Sequence, residues 1–160
     1  MVFCVGAQGN GIVISDRVDA LVHFFETLSP QSVAGLSRFY AADCRFKDPF
    51  NDVRGLDALE VIFRHMFDQL DAPRFMVRER VVQMPRVLLT WDFEFHFRRW
   101  QPGVTQRIHC ASLLTFDDAG LVAVHRDYWD AAEELYEKFP GIGALMRLLK
   151  RQGRPQTPVN

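Results

Sequence analysis

The chain has 160 residues, of which 48% are hydrophobic and 24% charged, with a formal net charge of -1. A single domain of this size buries about two thirds of its unfolded surface. The near-neutral charge excludes an electrostatic footprint for nucleic acid.

Residues 1–14 read as a flexible lead-in, with three glycines between Gly6 and Gly11. They lack the basic start and long apolar run of a secretory signal. GAQGNG follows no strand, so it does not make a dinucleotide-binding turn. A first helix, capped by Ser15 or Asp16, carries Val18, Leu21, Val22, Phe24, Phe25 and Leu28 on one stripe. Ser29-Pro30 ends it. A shorter helix is predicted from Ser32 to Tyr40, then a short strand through Asp48. Residues 51–55 read as a loop that either gates a pocket or does not. A third helix covers Leu56 to Leu70, with Leu59, Ile62, Phe63, Met66 and Phe67 inward.

After Pro73 the pattern changes to strands. Phe75 to Val82 is one. Val87 to Trp100 alternates, with Val87, Leu89, Trp91, Phe93, Phe95 and Phe97 on one face. Gln101-Pro102-Gly103 is a turn, Thr105 to Phe116 a strand, and Asp117 to Gly120 a hairpin turn. Leu121 to Trp129 is the last strand. A helix follows from Asp130 to Lys138, then a second from Ala144 to Lys150. That last basic, amphipathic segment is expected to pack as a terminal helix, with cations at its C-terminal end. Residues 153–160 read as a disordered tail. The domain is thus one α+β unit over 15–152, with three N-terminal helices and a C-terminal helix on one face of a curved antiparallel sheet.

The stretch FKDPFNDVRG (46–55) poses the functional question. Strand alternation puts Cys44, Phe46, Asp48 and Phe50 on one face and Arg45 and Lys47 on the other. A carboxylate among aromatics is either a pocket group or the cap of an Asp-Pro turn.

Two segments, FFETLSPQSVAGLSRFYAADCRFKDP and LLTFDDAGLVAVHRDYWD, resemble the nuclear transport factor 2 superfamily in order and spacing. Within it the chain is similar to the SnoaL-like and ketosteroid-isomerase-like branch, over Asp16 to Lys138. The resemblance implies a cone-shaped domain with a deep apolar pocket, and a homodimer. Asp48 matches the isomerases' general base, whose strength rises in an apolar pocket. In those enzymes a Tyr and a protonated Asp donate to the developing enolate oxygen. Here Phe24 and Ser112 stand at those positions, and Phe donates nothing. Losing one such donor costs about a hundredfold, so steroid isomerisation by the same residues is not expected.

The last strand offers another set. His125, Asp127 and Trp129 share a face, and Asp127 is the counterpart of the acid/base Asp of SnoaL-like cyclases. Asp48 and Asp127 would divide base and acid roles, with His125 as donor or shuttle. Equally open is a satisfied buried pair of His125 and Asp127, perhaps extended by Arg107 or His109. Phe46, Phe50, Phe63, Trp91 and Phe93 join Phe24, Ser112 and Trp129 as expected pocket-lining residues. His109 falls on the outer, dimer-facing side and Tyr128 opposite Asp127.

Three cysteines, Cys4, Cys44 and Cys110, are odd in number and far apart. They suggest buried thiols in a reducing, cytoplasmic compartment. The histidines show no metal-ligand spacing. The expectation is an enzyme without metal or organic cofactor, acting by acid/base chemistry on an apolar carbonyl or polycyclic compound. The alternatives are a non-catalytic binder of apolar ligands and a dimeric interaction module. No partner nucleic acid and no membrane span are expected.

Overall fold

The structure, a computed structural model, describes residues 10–99, 103–139 and 141–153. The predicted turn at 101–103 therefore lies mostly outside the described residues, as do 1–9 and 154–160. Helix α1 spans Asn10–Glu26. Ser15 and Asp16 lie inside it and are not its cap. Val18, Leu21 and Phe25 recur at i, i+3 and i+7 and are buried against the sheet.

The second predicted helix is a 3₁₀ helix, Val33–Arg38. Three residues per turn eclipse i and i+3, which puts Val33 and Leu36 on one buried side. Tyr40, assigned to that helix from sequence, opens strand β1, Tyr40–Lys47. Strand β2, Asp52–Arg54, replaces the predicted loop. It pairs antiparallel with β1, and the cross-strand pairs Arg45–Asp52, Lys47–Asp52 and Arg54–Asp43 favour that register. Hydrogen bonds from Arg45 first, then Lys47, hold Asp52 down at about 2.

Helix α2, Leu56–Gln69, starts from Gly55 at φ 97 and ψ 146, a region open almost only to glycine. A Cβ there would meet nothing nearer than the Ala42 carbonyl oxygen at 3.8 Å, so conformation and not collision sets the requirement. Gly55→Ala is expected to cost about 1–3 kcal/mol, read from urea unfolding. An unchanged midpoint would show that the backbone relaxes without cost.

Strands β3 (Leu70–Gln83), β4 (Arg86–Phe97), β5 (Gln106–Phe116) and β6 (Val122–Tyr128) complete the sheet. The order is β2-β1-β6-β5-β4-β3. Its curved, open form with helices on one face is the expected α+β architecture. One pairing among the described strands departs from antiparallel, β1 with β6, which are parallel. Because β3 is an edge strand, Pro73 costs it no ladder bond to a neighbour on its open side. Asp117 closes the β5–β6 turn by accepting from Leu121 N at 2.8 Å.

The helix predicted from Asp130 to Lys138 divides into α3, Ala131–Glu134, and a 3₁₀ turn, Tyr136–Lys138. Asp130 caps it by accepting from Ala132 N and Glu133 N. Helix α4, Ile142–Gly153, is longer than predicted. It is tied back through Lys150 to Glu133 and Glu137. The expected packing is partial, because so short a platform leaves Ile142, Leu145, Leu148 and Leu149 about half exposed.

Candidate functional site

A cavity of about 300 Å³ opens between α1, α2 and the inner face of β1, β6, β5 and β4. Its position follows from the alternation of those strands, which turns every second side chain inward. Of the pocket residues predicted from sequence, Phe46, Phe50, Phe63, Trp91, Phe93, Ser112 and Trp129 line it, as do Asp48, His125 and Asp127. Phe24 does not. Adjacent helix positions point about 100° apart, so Phe25 faces the cavity. Phe24 packs on Phe39, centroids 4.9 Å apart, beneath the Arg38 guanidinium.

Asp48 lies beyond the end of β1. Pro49 ends the extended segment there, so the strand alternation that grouped Asp48 and Phe50 with Phe46 does not reach them. Both are brought to the cavity rim by a turn, in which Asp48 N donates to Asn51 O at 3.0 Å. Asp48 Oδ1 accepts from Phe50 N at 2.7 Å, from Asn51 N and from Asn51 Nδ2 at 3.0 Å. Its Oδ2 also accepts from Asn51 Nδ2, at 3.0 Å. The turn cap and the pocket position considered from sequence thus coexist, and the carboxylate is fully engaged by its own loop. Phe50, 54% exposed, meets Trp129 edge-on at 5.3 Å across the mouth.

The inner end is polar and continuous. Register pairs Ser112 with Asp127 across β5–β6, and Phe46 with His125 across β1–β6. The Trp91 indole N–H donates to Ser112 Oγ at 2.7 Å, and Ser112 Oγ donates to Asp127 Oδ1. His125 Nε2 lies 2.8 Å from the same Oδ1, and His125 Nδ1 lies 2.7 Å from the Tyr40 hydroxyl. Burial, then the nearby Asp127 charge, pushes the Tyr40 phenol well above its ordinary value, so it keeps its proton. That hydroxyl has no other hydrogen-bond partner among the described residues. It therefore donates to Nδ1, which assigns the imidazole proton to Nε2, facing Asp127.

Asp127 is 9% exposed at its side chain. Its Oδ1 is taken by Ser112 and His125, while no hydrogen bond among the described residues reaches Oδ2. Nor is Oδ2 among the fully enclosed unpartnered atoms, so it opens on the cavity.

Arg107 and His109, weighed from sequence as partners of this pair, belong to the other face. His109 bonds Asp92 at 2.8 Å and Arg107 pairs with Glu94. The His109 hydrogen bond, then Arg78, holds Asp92 low against the opposite pull of burial. Tyr128 is half exposed, under the Arg126 guanidinium at 4.9 Å. Cys44 and Cys110 are buried, and burial raises both thiols, so neither is a nucleophile. Tyr40 is the member of the polar chain that sequence reasoning missed. Its signal was its place at the head of β1, hidden by assigning it to a helix. Among the described residues no group of side chains has metal-site geometry, and no helix is long and apolar enough to cross a membrane.

A family model for the SnoaL-like domain matches residues 21–125, which include Tyr40, Asp48, Ser112 and His125. The chain belongs to the SnoaL-like domain family. Among curated proteins none matches it. Solved structures share the fold at low identity. A hypothetical protein with a ketosteroid isomerase-like fold from Catenulispora acidiphila, in complex with trimethylamine, is 14% identical with a TM-score of 0.62, covering 75% of this chain and 89% of that one. A putative SnoaL-like polyketide cyclase from Shewanella denitrificans is 15% identical with a TM-score of 0.62, covering 77% and 96%. An LEH-like epoxide hydrolase from M. tuberculosis is 12% identical with a TM-score of 0.62, covering 86% and 91%. This SnoaL-like chain thus shares a cone fold with structures described by differing chemistries, and the fold alone does not assign its activity.

Proposed function

We propose that this SnoaL-like protein is a cofactor-independent acid/base enzyme acting on an apolar carbonyl or polycyclic compound. The observation that carries the reading is the open Oδ2 of a nearly buried Asp127, held by Ser112 and His125. A carboxylate so placed takes a proton from a carbon beside the carbonyl and returns it to another position. His125, oriented by Tyr40, donates from Nε2 to Asp127 Oδ1 and keeps the carboxylate in place. Asp48 orders the rim loop and stands as the second carboxylate of the site.

The non-catalytic binding protein remains the second reading, since the apolar wall serves either use. We also assign a homodimer through the outer sheet face, where Leu88, Val124 and Tyr128 are exposed beside the Asp92–His109 pair. We place the protein in the cytoplasm, which suits free buried Cys44 and Cys110.

The test is α-proton exchange of 2-tetralone in D₂O, followed by NMR. Saturable acceleration over buffer supports the enzyme. Saturable binding with exchange no faster than in buffer would favour the binding protein instead.

A further inference from the structure

The cavity's titratable lining groups are the carboxylates of Asp48 and Asp127 and the imidazoles of His65 and His125, and neither lysine nor arginine lines it among the described residues. The donors around Asp127 Oδ1 are neutral. Ser112 is a hydroxyl, and the Tyr40 bond to Nδ1 leaves His125 with a single proton, on Nε2. Asp127 therefore presents a nearly buried carboxylate oxygen, with no lysine or arginine beside it, to an apolar space. An unpaired charge in such a place is costly, and a cation brought in by a ligand relieves that cost.

The surrounding wall suits the same guest. Trp129 follows Asp127 by two residues on the same face of the chain, and both line the cavity. Trp91 is fixed beside the carboxylate by its bond to Ser112. Phe46 is set against His125 with ring centroids 5.0 Å apart. Tryptophan and phenylalanine faces carry the negative part of the ring quadrupole and attract ammonium groups. An anionic ligand would face two carboxylates, and a neutral one would leave Asp127 without a counter-charge.

We propose that the cavity takes a compact apolar molecule bearing a positively charged nitrogen, seated between Asp127 Oδ2 and the faces of Trp91 and Trp129. The proposal rests on the reading of the cavity as a small-molecule site and adds the charge of what it holds. A volume of about 300 Å³ equals about ten waters, which sets the scale of the guest.

The experiment compares phenyltrimethylammonium with tert-butylbenzene, a pair of one shape differing in a charged nitrogen for a carbon. Binding to the full chain is followed by tryptophan fluorescence, on the wild type and on Asp127→Asn. The cation is expected to bind the wild type at least about tenfold more tightly than the hydrocarbon. In Asp127→Asn the two should come within about threefold of each other. Equal or tighter binding of the hydrocarbon by the wild type overturns the charge assignment and leaves the small-molecule reading standing. A cation preference that survives in a folded Asp127→Asn also overturns the assignment to Asp127. Binding of neither probe overturns both. If Asp127→Asn fails to fold, the wild-type pair alone decides.

Discussion

Asp127→Asn is expected to slow α-proton exchange of 2-tetralone by about a hundredfold or more, with the fold intact. Asn keeps the shape of Asp and still accepts from Ser112 at Oδ1, so the network that holds position 127 survives. What disappears is a basic oxygen facing the cavity. Asp48→Asn should behave differently. The Asp48 carboxylate is occupied by Phe50 N, Asn51 N and Asn51 Nδ2, and Asn accepts from the same backbone donors. Its effect should stay within about tenfold. The two variants separate the roles that the sequence assigned jointly to both carboxylates. A large loss at Asp48 with none at Asp127 would move the base to the rim and end the reading given to the inner end.

The second large effect concerns stability. His125→Leu should cost about 2–4 kcal/mol. Leucine fills a similar volume but leaves the Tyr40 hydroxyl, at 1% residue exposure, with no acceptor, and strips one donor from Asp127. Tyr40→Phe should cost about 1–3 kcal/mol, because Nδ1 then has no donor in a site too enclosed to admit water freely. The double variant should cost clearly less than the sum. Once both polar partners are gone, neither is left buried and unmet. Urea unfolding of the four proteins measures this. Additivity within about 0.5 kcal/mol would mean that the Tyr40–His125 bond is not made in solution, and the proton assignment at His125 would fall with it.

The particular elements show how far the amino-acid sequence reaches. Strand alternation along β6 put His125, Asp127 and Trp129 on one face, and that face does line the cavity. The same rule placed Arg107 and His109 away from it, where they pair with Glu94 and Asp92. Where the rule was extended past Pro49 it lost its basis. Asp48 and Phe50 reach the rim through a turn whose geometry is set by hydrogen bonds and not by pleat. The resemblance puts Phe24 in the cavity, at the position of the isomerases' Tyr, and a helix stripe about 100° wide does not distinguish neighbours at its edge. Only the docking of α1 on the sheet decides that Phe25 faces in and Phe24 packs on Phe39.

What the sequence by itself determined was local and periodic: the α+β order, the hairpin at Asp117–Gly120, the inward face of β6 and the aromatic character of the core. Those follow from propensity and spacing, which act between near neighbours in the chain. The tertiary structure decided the rest. It paired β1 with β6 in parallel, brought Tyr40 to His125 across 85 positions, and left one oxygen of Asp127 open to the cavity. Such contacts depend on how layers stack and on which hydrogen bonds are satisfied once water is gone, and no local pattern encodes either.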